Sequence, residues 1–224
     1  MIDPPIRDAA SIIVLRRDGP PAVLMGQRGA GAAFMPGKFV FPGGAVDPGD
    51  AGVRLALTQP CAARLSEASR QPPAALAAAA IRELWEETGL ILGHRSPWPD
   101  PPPGWADLAA TGHRPSADAL QFVFRAVTPP GRPRPFDARF FLAPATELAR
   151  DPDDFSDASD ELSHLQWVPL AEARRFDLPF ITEIILAEVQ ARLDMSGAPP
   201  DVPFFLYTDE TPLVLRLGRV SHAF

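Results

Sequence analysis

The stretch Ala74–Thr88 limits what this chain can fold into more than any other. It holds no proline or glycine, consists largely of alanine, leucine and glutamate, and is bracketed by Pro72-Pro73 and Gly89. Such residues lose little freedom in a helix, proline suits a first helical turn, and glycine supplies the stop. The stretch therefore predicts a helix ending at Thr88. Helical spacing puts Ala77, Ile81 and Leu84 on one core-facing stripe. A second stripe runs from Leu76 and Ala80 into Glu83 and Glu87. A helix this apolar needs a sheet or other helices to cover it.

The neighbouring segments supply strands. Ala10–Arg16 and Ala22–Arg28 flank Asp18-Gly19-Pro20-Pro21 and predict a hairpin. Phe39-Val40-Phe41 predicts a strand ending in a tight loop at Pro42-Gly43-Gly44, where glycine permits backbone conformations closed to other residues. Residues 54–70 are helix-compatible with an interruption at Pro60, and residues 96–115, rich in proline and glycine, read as a surface loop. Further strands are expected at 120–127, 139–142, 165–168 and 204–217, and an amphipathic helix at 179–192. The stretch 147–161, with Asp151, Asp153, Asp154, Asp157 and Asp160, reads as a solvated acidic loop. Interleaved strands and helices without repeats make the fold class α/β.

Composition narrows the function classes. With 28 acidic against 21 basic residues and a net charge of -7, the chain lacks the basic face that nucleic acids or anionic membranes require. A single cysteine, Cys61, excludes an intrachain disulfide and a cysteine zinc finger, and fits a reducing, cytoplasmic setting. The opening Met1-Ile2-Asp3-Pro4-Pro5 has neither the charge nor the apolar run of an export signal. No apolar run approaches the roughly 18 residues of a membrane span. Lys38 is the only lysine, so an isolated arginine carries little information in this chain.

The chemistry concentrates in Arg82-Glu83-Leu84-Trp85-Glu86-Glu87-Thr88-Gly89-Leu90. Glu83 lies three and four positions before Glu86 and Glu87, so the three carboxylates share one helical face within a turn. An exposed helix with ordinary ion pairs explains this poorly. Three acids face one arginine, and they sit in the last turn, where the helix dipole disfavours negative charge by about 0.3–1 kcal/mol each. A bound cation resolves the conflict. Oxygen-only donors suit Mg²⁺ or Mn²⁺, whereas His94, His113, His164 and His222 lack metal-ligand spacing.

These residues resemble the Nudix superfamily of diphosphate hydrolases, whose pattern is G-x5-E-x7-R-E-U-x-E-E-x-G-U with U a bulky aliphatic. Residues 82–90 match its second half. The first half is displaced: Gly44 precedes Arg82 by 38 positions instead of 14, so about 24 residues are inserted, and the acid six after Gly44 is Asp50 rather than Glu. A split box behind a Phe-Pro-Gly-Gly strand end is similar to the coenzyme A diphosphatase-like branch. Arg28 after its strand, the strand Phe136–Phe141 and Glu161-Leu162 before Trp167-Val168 agree with that comparison.

The resemblance implies an α/β/α sandwich with a mixed sheet, spanning residues 1–224 as one domain with an inserted segment at about 51–73. It implies a metal-dependent hydrolase that cleaves the diphosphate of a nucleoside diphosphate linked to another moiety, coenzyme A or acyl-CoA among the candidates. Glu83, Glu86 and Glu87 would bind Mg²⁺ or Mn²⁺, Arg82 would orient a glutamate, and Glu83 or Glu161 would be the general base. Gly43 and Gly44 would approach the ligand, and Arg28, with Arg134 and Arg139 behind it, would meet a substrate phosphate. The partner is a small nucleotide or coenzyme A substrate, with a homodimer left open. The alternative is a non-catalytic Nudix-fold sensor that binds a nucleotide to control a partner.

Overall fold

The computed structural model describes residues 4–32, 35–195, 197–208 and 211–218. Part of the opening segment (Met1–Asp3) and His222 lie outside them. In chain order the elements are β1 (Arg7–Arg16), β2 (Ala22–Arg28), β3 (Phe39–Val40), β4 (Gly43–Ala45), α1 (Gln59–Ser66), α2 (Pro73–Thr88), β5 (Gly93–Arg95), α3 (Ala106–Ala110), β6 (His113–Pro115), β7 (Gln121–Val127), β8 (Phe136–Pro144), β9 (Leu162–Pro169), α4 (Phe180–Ala191), β10 (Val202–Thr208) and β11 (Thr211–Leu217). A 3₁₀ turn at Pro48–Gly52 follows β4.

Nine of these strands form one mixed sheet in the order β11-β10-β7-β8-β1-β2-β3, with β4 pairing β1 and β9 pairing β2; β5 and β6 form a separate ribbon. β1 runs parallel to β8 and antiparallel to β2, and β10 runs parallel to β7. Central β1 shows why the sheet needs cover on both faces. Its alternating side chains Ala10, Ile12 and Val14 join the core on the α2 side, whereas Ile13 and Leu15 join that on the α4 side. The result is the expected α/β/α sandwich.

Helix α2 differs from an ordinary amphipathic helix. Every residue from Ala75 to Leu84 is buried, Arg82 and Glu83 included, because the sheet covers one side while α1 and the 3₁₀ turn approach others. Burying Leu76, Ile81 and Leu84 contributes about 1.5–3 kcal/mol each. Gly89 closes the helix in the left-handed region at φ 74, and its N–H bonds the Trp85 carbonyl.

Three local expectations change. Gly43-Gly44 does not make a loop: both lie in β4, paired with Ser11 and Ala10 of β1. Pro60 does not interrupt a helix but stands in the first turn of α1. Residues 96–115 are not merely a surface loop, for they contain α3 and β6 and bury Trp105, Leu108 and His113. Elsewhere α4 carries Ile185 and Val189 into the core, with Ile181 and Ile184 packed at its margin.

Buried arginines tie α1 to the sheet. Arg125 bonds Asp137 from Nε (2.9 Å) and Nη2 (2.7 Å), and reaches the Glu67 and Ala68 carbonyls at 3.0 and 2.9 Å. Arg139 bonds Asp8 at 2.6 Å and is 1% exposed. Burial and the neighbouring Arg125 pull its pKa below the usual arginine value despite Asp137 and Asp8. Arg139 is thus structural, which corrects its assignment as a phosphate contact. Among the described residues, no helix is long and apolar enough to cross a membrane.

Candidate active site

The acidic face of α2 points at β4. Gly43 donates its backbone N–H to Glu87 Oε2 at 2.7 Å, and the Glu83 carboxylate lies against the Gly44 α-carbon so closely that a β-carbon there would collide with it. At Gly43 a β-carbon would strike Ser11. The glycines are therefore required for space, and neither has a positive φ. Gly44→Ala is expected to displace Glu83, lower stability by about 1–3 kcal/mol and remove most turnover, as thermal unfolding and a steady-state assay would show.

Arg82 organises the cluster from beneath. Its Nη1 bonds Glu83 Oε1 at 2.8 Å and Glu86 Oε2 at 2.9 Å, and its Nη2 bonds the Ala45 carbonyl at 2.9 Å. Its Nε and Nη2 grip Asp50 at 3.0 and 3.1 Å. Asp50 is completely buried and belongs to the 3₁₀ turn after β4, so the two halves of the split motif meet in space through this ion pair. Burial pulls Arg82 down, but Asp50, Glu83 and Glu86 outweigh it and hold the guanidinium above its usual pKa. The sequence singled out Arg82 as a glutamate orienter; its larger partner, Asp50, was visible only as a departure from the pattern.

The three glutamates are not equivalent. Burial pushes Glu83 up to about 7, with Arg82 opposing and Glu86 adding to the rise. Glu87, 1% exposed, is held well above the usual carboxylate range by burial and by the Glu83 charge, against the Gly43 N–H. Glu86 is raised by burial and restrained by Arg82, but its side chain is 44% exposed. Glu87 Oε1 is buried without a hydrogen-bond partner.

Arg28 and Glu161 stand at the edge of this cluster and raise or lower its pKa values. They pair with each other, Nη2 to Oε1 at 3.0 Å. Glu161 is 54% exposed at the end of the solvated acidic run, yet close enough for its charge to act on Glu83 and Glu87. That loop also touches the helix end, where the Ser159 N–H bonds the Glu86 carbonyl at 3.1 Å. Arg134 is exposed, and Cys61 is packed in the core with burial raising its thiol pKa.

Among the described residues no three His, Cys, Asp or Glu side chains form a finished metal shell. The donors nevertheless suit a small hard cation. They are all oxygens, and Glu87 Oε1 has no partner in a space that denies access to water, whereas Mg²⁺ coordinates at only about 2.0–2.1 Å.

The fold is that of Nudix hydrolases. A Nudix hydrolase structure from Alicyclobacillus acidocaldarius superposes with a TM-score of 0.63 at 29% identity, covering 82% of this chain and 90% of that one. The Nudix domain of Shewanella oneidensis NrtR, solved with ADP ribose, gives 0.50 at 14% identity over 85% and 90%. In sequence, the Caenorhabditis elegans protein named nudix hydrolase 7 is 31% identical over 175 residues, 72% of this chain. The chain spans about half, 51%, of that relative's length. No family profile matches. Fold and sequence together support a likeness to the Nudix hydrolase superfamily.

Proposed function

We propose that this chain is a metal-dependent hydrolase that splits the diphosphate of a nucleoside diphosphate linked to another moiety. The observation that carries the reading is the convergence of buried Glu83 and Glu87 on the glycine strand Gly43–Gly44, with Glu87 Oε1 left unpartnered. Glu83 and Glu87 would hold Mg²⁺ or Mn²⁺, with Glu86 as a third ligand or joined through water and the Gly44 region offering a carbonyl. A divalent ion there supplies charge neutralisation on the phosphoryl oxygens.

The remaining work falls to the chain's own residues. Arg82 fixes Glu83 and Glu86 through Nη1 while Nη2 ties it to the Ala45 carbonyl of the glycine strand. Glu83 and Glu161, whose charges are felt within one cluster, are the two candidates for taking a proton from water. Arg28 already faces a carboxylate, so a substrate phosphate would replace Glu161 as its partner and free that acid. The segment 51–73 is an insertion within one catalytic domain, and with residues 96–115 it is the ground on which substrate selectivity is built. Coenzyme A and acyl-CoA are the preferred substrates, on the split box and the Phe-Pro-Gly-Gly strand end.

Purified protein with Mg²⁺ or Mn²⁺ should hydrolyse one P–O–P bond, releasing two products that each end in a phosphate at the cut, from coenzyme A or, if the selectivity differs, from ADP-ribose, a dinucleoside polyphosphate or NADH. Failure on the whole panel would falsify the enzymatic reading. One observation favours the alternative of a non-catalytic nucleotide sensor: Arg82 already occupies one oxygen each of Glu83 and Glu86. That reading requires a thermal shift with nucleotide, no hydrolysis, and an undiminished shift in Glu87→Gln.

A further inference from the structure

We propose that Trp105, from the proline-rich stretch after β5, is a positioning residue of the carboxylate site, acting through Asp50 and Arg82; this rests on reading that site as a divalent-metal centre. Trp105 is fully buried, and a buried indole N–H needs an acceptor. It bonds Asp50 Oδ1 at 3.2 Å, across 55 positions of sequence.

That bond completes the Asp50 carboxylate. Oδ1 receives Arg82 Nε and Trp105 Nε1; Oδ2 receives Arg82 Nη2 and, at 2.8 Å, the Asp47 backbone N–H. With two donors on each oxygen, the carboxylate cannot turn. The guanidinium plane is fixed in consequence, and with it the Nη1 that holds Glu83 Oε1 and Glu86 Oε2. Removing the indole donor leaves Oδ1 with one donor in a site closed to water, so the carboxylate can rotate and take Arg82 with it.

The stretch is built onto the 3₁₀ turn, not draped over it. A β-carbon on Gly49 would collide with the Pro103 carbonyl, and one on Gly52 would lie 3.0 Å from Pro102. Gly104 turns the chain at φ 84 immediately before Trp105. Trp98 packs on Trp105 with ring centroids 5.8 Å apart but makes no bond to Asp50, which makes it the matched control.

The test is calorimetric Mn²⁺ binding to the substrate-free full chain, beside steady-state kinetics. Trp105→Phe should weaken Mn²⁺ binding and lower kcat about tenfold each, the low end for residues that support metal ligands from behind, with KM unchanged. Trp98→Phe should lower the thermal midpoint but leave Mn²⁺ affinity within about twofold of wild type. Should Trp105→Phe not fold, 3-benzothienylalanine at position 105, which replaces only the indole N–H by sulfur, should give the same losses. Wild-type Mn²⁺ affinity in the Trp105 variants, or an equal loss in Trp98→Phe, overturns the proposal. A wild type that binds Mn²⁺ but cleaves no diphosphate defeats the functional reading alone, because the binding comparison still judges Trp105. A wild type that binds no Mn²⁺ defeats both.

Discussion

Glu87→Gln is expected to remove at least about a hundredfold of turnover while leaving the metal-free protein more stable at pH 8. On the proposed reading the loss follows from deleting a charged oxygen ligand, since metal-borne charge stabilisation is worth several kcal/mol and each 1.36 kcal/mol is a tenfold in rate. The gain follows from burial. Glu87 is shut away from water beside Glu83, so its ionised form is disfavoured in the empty fold. Glutamine keeps the shape and can still accept the Gly43 N–H, but carries no charge to desolvate. Turnover with Mg²⁺ and thermal unfolding in EDTA measure the two effects on one sample. A variant that is inactive and also less stable would mean that Glu87 serves the fold rather than an ion.

Metal-free wild type should lose stability as pH rises from about 5 to about 8, and saturating Mg²⁺ should restore it. Glu83 has an ordinary value of 4.5 and titrates at about 7 in the fold, mainly through burial. With the folded pKa above the unfolded one, the folded state binds more protons across this window. Its stability is therefore full below about 4.5 and is lost as pH climbs through 7. For Glu83 alone the shift corresponds to about 3 kcal/mol, or roughly 6–12 °C in Tm for a chain of this size. Glu87 acts in the same direction. An ion that binds only the folded, ionised site at a hundred times its Kd returns about 2.7 kcal/mol. Unfolding scans at pH 5 and 8 with EDTA, and at pH 8 with Mg²⁺, provide the comparison; a pH-independent Tm would contradict it.

Much of the site is local in origin and therefore legible in the sequence. Glu83, Glu86 and Glu87 share a face because helix geometry places i, i+3 and i+4 together, whatever the rest of the chain does. Arg82 could be assigned to the same turn for the same reason. What eluded the sequence depends on pairings between distant segments. Gly44 read as a loop because two glycines signal a turn, whereas its purpose is set by registry with Ala10 and by the Glu83 side chain above it. Trp105 sits in a Pro/Gly-rich stretch whose local chemistry says only that the backbone turns; nothing local marks its indole as the donor to Asp50. Arg139 looked like its exposed counterparts until the parallel pairing of β1 with β8 brought Asp8 to it. The fold was more readable than the site, since alternation and helical periodicity repeat over many residues.

The Asp50–Arg82 bridge has a consequence for how such chains can diverge. Once the link between the two halves is spatial, the tether joining them is released from any fixed length. Stretching it from 14 to 38 positions costs only about 1 kcal/mol of closure entropy. Evolution can then thread new material through the middle of a catalytic signature, and the active geometry will not register the intrusion.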